Sequence, residues 1–205
     1  MSHLAPRAKD IYAYTYMYSR DFHRSIENDE YPQAVRLAEY IRTHMKPHRF
    51  IDFGCSSGLY LREIKHALPA IESFGFEFSK DAVDHALCAD VINFDLTNRL
   101  DTVKKPNTLG LCLEVLEHID DTYWKDVLLN ITNLSDIIIF SAAIPGQGGT
   151  GHINCRNKID WIRRFHELGW VIDLDATKHL LSYMTNGYHM GWFSFNAMVL
   201  VRALI

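Results

Sequence analysis

The sequence predicts an α/β fold, a doubly wound and mostly parallel sheet with helices on both faces. Three observations predict it. Strand-like and helix-like segments alternate five times along the chain. The first strand-like run, Phe50 to Phe53, passes into the small-residue turn "GCSSG" before apolar residues resume at helical spacing. The fifth, "DIIIFSA", is a continuous apolar run of the type buried on both faces of a parallel sheet. Ligands of such sheets bind beyond the carboxyl ends of the strands, so the loops after strands one to five are expected to carry the function.

The elements follow in order. Residues 7–28 are tyrosine-rich and read as helical. "YPQAVRLAEYIRTHM" reads as a second helix, with Pro32 near its start and Val35, Leu37, Ala38 and Ile41 as its apolar stripe. After the glycine turn, Leu61, Ile64 and Leu68 mark one helix face, closed by Pro69. "IESFGFEF" is the second strand, and Ser79 caps the helix "KDAVDHALCA". "VINFDL" and "LGLCL" are the third and fourth strands, followed by the helix "DTYWKDVLLNITNL". Beyond the fifth strand lies a glycine-rich loop, "IPGQGGTGHIN", then the helix "KIDWIRRFHEL", stopped by Gly169. "WVIDLD" and "FSFNAMVLVRA" read as the last two strands.

At 205 residues the chain is expected to be one domain, residues 1–205. Hydrophobic residues make up 48% and charged residues 22%, as in a soluble enzyme. The net charge of -4 and pI near 6.2 disfavour a protein held to nucleic acid by phosphate contacts. Arg156, Lys158, Arg163 and Arg164 nevertheless cluster, which keeps a local basic patch open. Cys55, Cys88, Cys112 and Cys155 show no metal or redox spacing and read as reduced thiols. The N-terminus "MSHLAPRAKD" has no signal-peptide core, and no apolar run approaches the ~20 residues of a membrane span. A cytoplasmic protein with no membrane partner is expected, in which the sequons at Asn130 and Asn133 carry no meaning.

The turn after the first strand raises the question of a cofactor. The dinucleotide template beginning at Gly54 needs glycine at two positions that Ser56 and Leu59 occupy, so it fails twice. Asp52, two residues before Gly54, would repel a pyrophosphate. It suits a ligand with a positive end. S-adenosylmethionine carries an ammonium and a sulfonium and no phosphate. Glu77 ends the second strand, where a carboxylate can accept hydrogen bonds from ribose hydroxyls. Asp95 ends the third, placed to accept from an adenine amine, with Leu96 against the ring. One such acid is commonly a cap or a surface charge; three at successive strand ends form a pattern.

"IDFGCSSG", "GFEFS", "NFDLT" and "LCLEVLEHID" together resemble the successive motifs of the class I S-adenosylmethionine-dependent methyltransferases, over residues 48–145. The resemblance implies a Rossmann-like, seven-stranded sheet whose last strand is antiparallel. It implies that Asp52, Gly54 and Gly58 hold the methionine part, Glu77 the ribose and Asp95 the adenine. Leu113 and Glu114 would close the pocket beneath. Ser56 departs from the glycine of many members, and its side chain is expected to cap the helix. Residues 1–46 would be a helical segment capping the cofactor site, with Tyr12, Tyr14, Tyr16, Tyr18 and Phe22 as a lid or as packing. Tyr188, His189 and Trp192 would line the acceptor side.

Methyl transfer is an in-line displacement that positioning alone accelerates, and a hydroxyl acceptor also benefits from a general base. His152, in the loop after strand five, is the candidate base. The competing reading is a mobile glycine loop with His152 as a solvated bystander. Glu114, Glu117 and His118, with His152, also resemble the metal ligands of a branch that methylates RNA 2′-hydroxyls or catechol-like hydroxyls. A helix start rich in acids explains E-x-x-E-H equally simply, so no metal is assigned. The expected activity is methyl transfer to a hydroxyl, with an amine less favoured, of a small molecule or saccharide. The alternatives are a metal-assisted RNA 2′-O-methyltransferase, or a non-catalytic binding or assembly protein that keeps the cofactor fold. The oligomeric state is left open.

Overall fold

The computed structural model describes residues 18–186 and 191–203. Tyr12, Tyr14, Tyr16, Tyr188 and His189 lie outside them. The chain order is α1 (Arg20–Tyr40), β1 (Arg49–Phe53), α2 (Leu59–Ala67), β2 (Glu72–Glu77), α3 (Lys80–Asp84), β3 (Val91–Asn93) and β4 (Thr108–Leu113). Then follow α4 (Trp124–Leu134), β5 (Ile137–Ser141), α5 (Lys158–Glu167), β6 (Trp170–Ile172), α6 (Leu174–Thr185), α7 (Gly191–Asn196) and β7 (Met198–Arg202). Seven strands form one sheet in the order β3-β2-β1-β4-β5-β7-β6. β1 to β5 are parallel, and β7 runs antiparallel to both β5 and β6.

Alternation along the strands divides the core between the two faces. Phe50, Leu109, Leu111 and Ile139 pack with Leu37, Ile41, Leu61 and Leu180 from α1, the turn after it, α2 and α6. Ile51, Phe53, Cys112, Ile138 and Phe140 pack with Val127 and Ile131 of α4 and Trp161 and Phe165 of α5. The winding reverses between β1 and β4, whose loops part there and open a crevice.

Several boundaries differ from expectation, each for a physical reason. The two N-terminal helices are one, because α1 runs through Pro32. Pro32 is exposed, so the carbonyl it leaves unpaired faces water. The buried stripe there is Ala34, Leu37 and Ala38, while Val35 faces solvent. The helix relaxes through a wide turn at Ile41–Met45, and Lys46 ends it in the left-handed conformation. β3 stops at Asn93, since Asp95 closes a turn instead of continuing the strand.

α3 is shorter than expected, although Ser79 caps it by accepting from the Ala82 N–H. "WVIDLD" is a strand only to Ile172, because Asp173 accepts from the Ala176 N–H and starts α6, which sequence reading missed. "FSFN" belongs to α7, not to the last strand.

Asn130 is buried and is a structural residue. It donates to the carbonyls of Leu96 and Asn98 and accepts from the Leu100 N–H, which fastens the loop after β3. No helix among the described residues is long and apolar enough to cross a membrane.

Candidate active site

A cavity of about 990 Å³ lies over the carboxyl ends of β1 to β4, beneath the start of α1. Asp52, Gly54, Glu77, Asp95, Leu96, Leu113, Glu114 and His152 all line it. Gly58 does not. It sits at the N-cap of α2 with φ +84°, where a Cβ would come within 2.7 Å of Val91 Cγ2. Its glycine serves the turn and its packing on β3. At Gly54, φ is +82° and a Cβ would lie 2.4 Å from Val115 Cγ2, so only glycine allows the β1 and β4 loops to approach.

Asp52 is 3% exposed, and its Oδ2 has no hydrogen-bond partner. Burial, then the neighbouring Glu77 and Glu30, raise its pKa well above the carboxylate range. Glu77 is also buried but firmly held. Its Oε2 accepts from the Ser56 N–H at 2.9 Å and its Oε1 from the Ser79 N–H at 2.6 Å. Burial raises its pKa, while these N–H groups pull it down. Ser56 adopts φ +52°, and its hydroxyl does not cap α2 but lies 2.6 Å from His23 Nδ1. His23 Nε2 lies 3.3 Å from Ser79 Oγ, so this buried imidazole ties α1 to both sides of the cavity floor.

Asp95 turns its loop by accepting from the Thr97 N–H at 2.9 Å and the Thr97 hydroxyl at 2.7 Å. Glu114 sits at φ +51°, with its N–H donating to the Ser141 carbonyl. Its side chain accepts from Gln147 Nε2 at 2.5 Å and Asn196 Nδ2 at 3.3 Å. Glu114 thereby fastens the glycine loop and α7 to the end of β4.

That loop packs rather than dangles. A Cβ at Gly149 would lie 2.1 Å from His152 Nε2, and one at Gly151 2.1 Å from Tyr18 Oη. The N–H groups of Ile153 and Asn154 both donate to the Glu117 carbonyl. His152 therefore stands in the cavity wall, its side chain 12% exposed. Its Nε2 is 4.0 Å from Glu117 Oε1, and its Nδ1 is 3.7 Å from Cys155 Sγ.

Glu117 is fully buried, with no formed hydrogen bond to either oxygen. Burial, followed by the nearby Glu114, pushes its pKa up to about 8. Burial and then His152 push His118 down to about 4. Tyr18 Oη lies 2.8 Å from His118 Nδ1, which resolves one tyrosine of the N-terminal stripe as a wall of the site. Among the described residues, Glu117, His118 and His152 offer ligand atoms within 4.8 Å of one another. Glu114, the fourth member of the sequence pattern, is turned toward Gln147 and Asn196 instead.

Sequence reasoning placed the N-terminal helical segment over the site but missed three of its residues: His23, Glu27 and Glu30 also line the cavity. Helical spacing places 23, 27 and 30 on one face, but nothing local shows that this face meets the sheet edge. The basic cluster is largely consumed within the fold. Arg156 and Arg164 both pair with Asp121, Arg163 lies 3.5 Å from Asp160, and Lys158 donates to the Ala197 carbonyl.

No family model matches the sequence, and no curated protein matches it. Solved structures do match in shape. The plantazolicin methyltransferase BpumL, solved with a pentazolic desmethylPZN analogue and S-adenosylhomocysteine, superposes with a TM-score of 0.64 at 14% identity, over 94% of this chain and 95% of that one. This chain has the class I methyltransferase fold. The O-methyltransferase of a trans-AT polyketide synthase multienzyme from Brevibacillus brevis, solved with S-adenosylhomocysteine, shares the methyltransferase fold at a TM-score of 0.60 and 18% identity. That match covers 90% of this chain and 80% of the other. The mitomycin 7-O-methyltransferase MmcR matches at a TM-score of 0.60 and 14% identity over 89% of this chain, which spans 56% of that protein's length. At these identities the likeness is one of fold, and the chemistry of the site has to be argued from its own residues.

Proposed function

We propose that the protein is an S-adenosylmethionine-dependent methyltransferase acting on a hydroxyl, with an amine less favoured, of a small molecule or saccharide. The observation that carries this reading is that carboxyls from the ends of β1, β2 and β3 line one cavity together with His152. In this reading Asp52 and the Gly54 turn face the methionine part and Glu77 takes the ribose hydroxyls. Asp95 and Leu96 flank the adenine, and Leu113 and Glu114 lie beneath. The names of the shape neighbours, several of them methyltransferases of small molecules or peptides, support the class. The reading treats residues 1–205 as one domain and places it in the cytoplasm, in keeping with four free cysteines.

The chemistry is an in-line displacement. The acceptor oxygen forms a bond to the methyl carbon as the carbon–sulfur bond breaks, and that electron pair stays on sulfur as a thioether. The acceptor proton passes to His152, which lines the cavity and whose Nε2 lies 4.0 Å from Glu117 Oε1. Holding the reacting atoms ~3–3.5 Å apart supplies much of the acceleration. Titration calorimetry with S-adenosylmethionine and with NADH tests the cofactor: heat with the first alone is expected. Binding of NADH alone removes the reading. A radiolabelled-methyl screen over metabolites, saccharides and RNA then finds the acceptor.

A second reading, a metal-assisted transfer such as RNA 2′-O-methylation, is favoured by the Glu117 carboxyl, buried without a partner beside two imidazoles. A carboxylate and two imidazoles suit a divalent first-row ion, which would polarise an acceptor oxygen. His152 cannot then serve as the free base. If His152 is the base, turnover continues unchanged in excess chelator. Loss of turnover under chelator and its return with manganese or magnesium would instead establish the metal reading. The pairing of Arg156 and Arg164 with Asp121 weighs against an RNA acceptor.

A further inference from the structure

Glu77 is held through two serine amides, and one buried imidazole stands behind both serines. The carboxyl oxygens accept from the Ser56 N–H at 2.9 Å and from the Ser79 N–H at 2.6 Å. The hydroxyls of the same two serines meet His23 of α1. Its Nδ1 lies 2.6 Å from Ser56 Oγ, and its Nε2 lies 3.3 Å from Ser79 Oγ. Ser79 Oγ donates to the Tyr18 carbonyl and accepts from the Ala82 N–H. Its remaining capacity is that of an acceptor, which makes Nε2 the donor. Burial lowers the pKa of His23 and favours the neutral ring. Nδ1 is then bare and accepts from the Ser56 hydroxyl. Both nitrogens of a side chain only 5% exposed are thereby committed to the two serines.

The bond to Ser56 has a particular task. Ser56 adopts φ +52°, a left-handed conformation that is costly for a residue bearing a Cβ. In that conformation its N–H meets Glu77 while its hydroxyl meets α1. The imidazole therefore supports the strained turn from outside it. We propose that His23 is a positioning residue for Glu77: through Ser56 and Ser79 it sets the two amides that aim this carboxyl, and so couples the docking of α1 to recognition of the ribose diol. The proposal rests on the reading in which Glu77 takes the ribose hydroxyls. It adds a determinant from the N-terminal helix, outside the strand-end motifs, that need not touch the cofactor itself.

The test crosses the side chain with the ligand group. Calorimetry measures the affinities of wild type, His23→Leu, Ser56→Gly and the double variant for S-adenosylhomocysteine and for its 2′,3′-dideoxy analogue. Glycine at 56 keeps the N–H, suits the positive φ and removes only the hydroxyl that meets His23. Wild type is expected to prefer the diol ligand by ~10-fold or more, the worth of a hydrogen bond to a charged group. In each single variant that preference should shrink to roughly a few-fold, with the dideoxy ligand bound about as well as before. The double variant should lose less than the product of the two single losses, because the two side chains act as one unit. A His23→Leu protein that melts at a lower temperature but keeps the wild-type preference would make His23 a packing residue and overturn the proposal, leaving the cofactor reading intact. If His23→Leu shows no folded state, Ser56→Gly decides alone, and an undiminished preference there overturns the proposal. Wild type binding both ligands equally would overturn the ribose role of Glu77, and this inference with it. Wild type binding neither would overturn the cofactor reading itself.

Discussion

If His152 is the base, replacing it with alanine is expected to lower turnover by ~10²–10⁴ and to leave affinity for S-adenosylmethionine nearly unchanged. The size is that of a positioned acid–base group. The selectivity follows from placement, because His152 stands on the loop after β5 whereas the strand-end carboxyls and α1 supply the rest of the wall. Packing holds the ring ready for the role. It meets the His118 ring edge to face at 4.9 Å, lies against Gly149, and has Cys155 Sγ near its Nδ1. A variant within a few-fold of wild type would leave catalysis to proximity alone. The missing side chains of Gly149 and Gly151 make room for His152 and Tyr18.

If Glu77 takes the ribose, Glu77→Ala is expected to weaken S-adenosylmethionine and S-adenosylhomocysteine alike, by ~1.5–3 kcal/mol, the cost of losing a charged hydrogen-bonding partner. Calorimetry measures it directly. Burial raises the pKa of Glu77, so the free protein holds this proton to a higher pH than an exposed carboxyl does. In the proposed site ribose hydroxyls would donate to the ionised form and favour it. Cofactor binding is then expected to release a proton, and affinity to strengthen as pH rises through the folded-state pKa. The free protein's stability has the opposite sign: the unfolded carboxyl ionises first, so the contribution of the buried acid is present at low pH and is lost as pH rises. Glu77→Gln flattens the pH dependence of binding. Equal affinities in wild type and Glu77→Ala would take this residue out of the site. Circular dichroism of the variant guards against a loosened turn, since the N–H groups of Ser56 and Ser79 lose their acceptor.

Much of the architecture was legible because it is written locally. Strand one, its glycine turn and helix α2 follow from a short apolar run, two positive-φ glycines and a 3.6-residue stripe. Ser79 was readable as a cap for the same reason. The misreadings also have local causes. "WVIDLD" alternates like a strand, and the side chain of Asp173 starts a helix there instead. Pro32 reads as a helix start, yet an exposed proline is tolerated within α1 when both flanks are packed or capped. Ser56 was expected as a cap, but its positive φ turns the hydroxyl toward α1.

By itself, the sequence determined the fold class and the order of the strand-end acids. Hydrophobic periodicity and turn chemistry act over a few residues, and parallel strands joined by helices have few ways to wind. Only the tertiary structure decided what meets those acids. Tyr18 reaches His118 across 100 positions, and His23 reaches Ser56 across 33. Glu117, a plausible helix-start acid in the sequence, becomes a fully buried carboxyl beside two imidazoles. Glu114, its neighbour in the same motif, turns to Gln147 and Asn196. Burial and partner choice are properties of the packed chain: desolvation raises the pKa of Glu30, Asp52 and Glu117, and it exists only once α1 and the glycine loop have closed over the sheet edge.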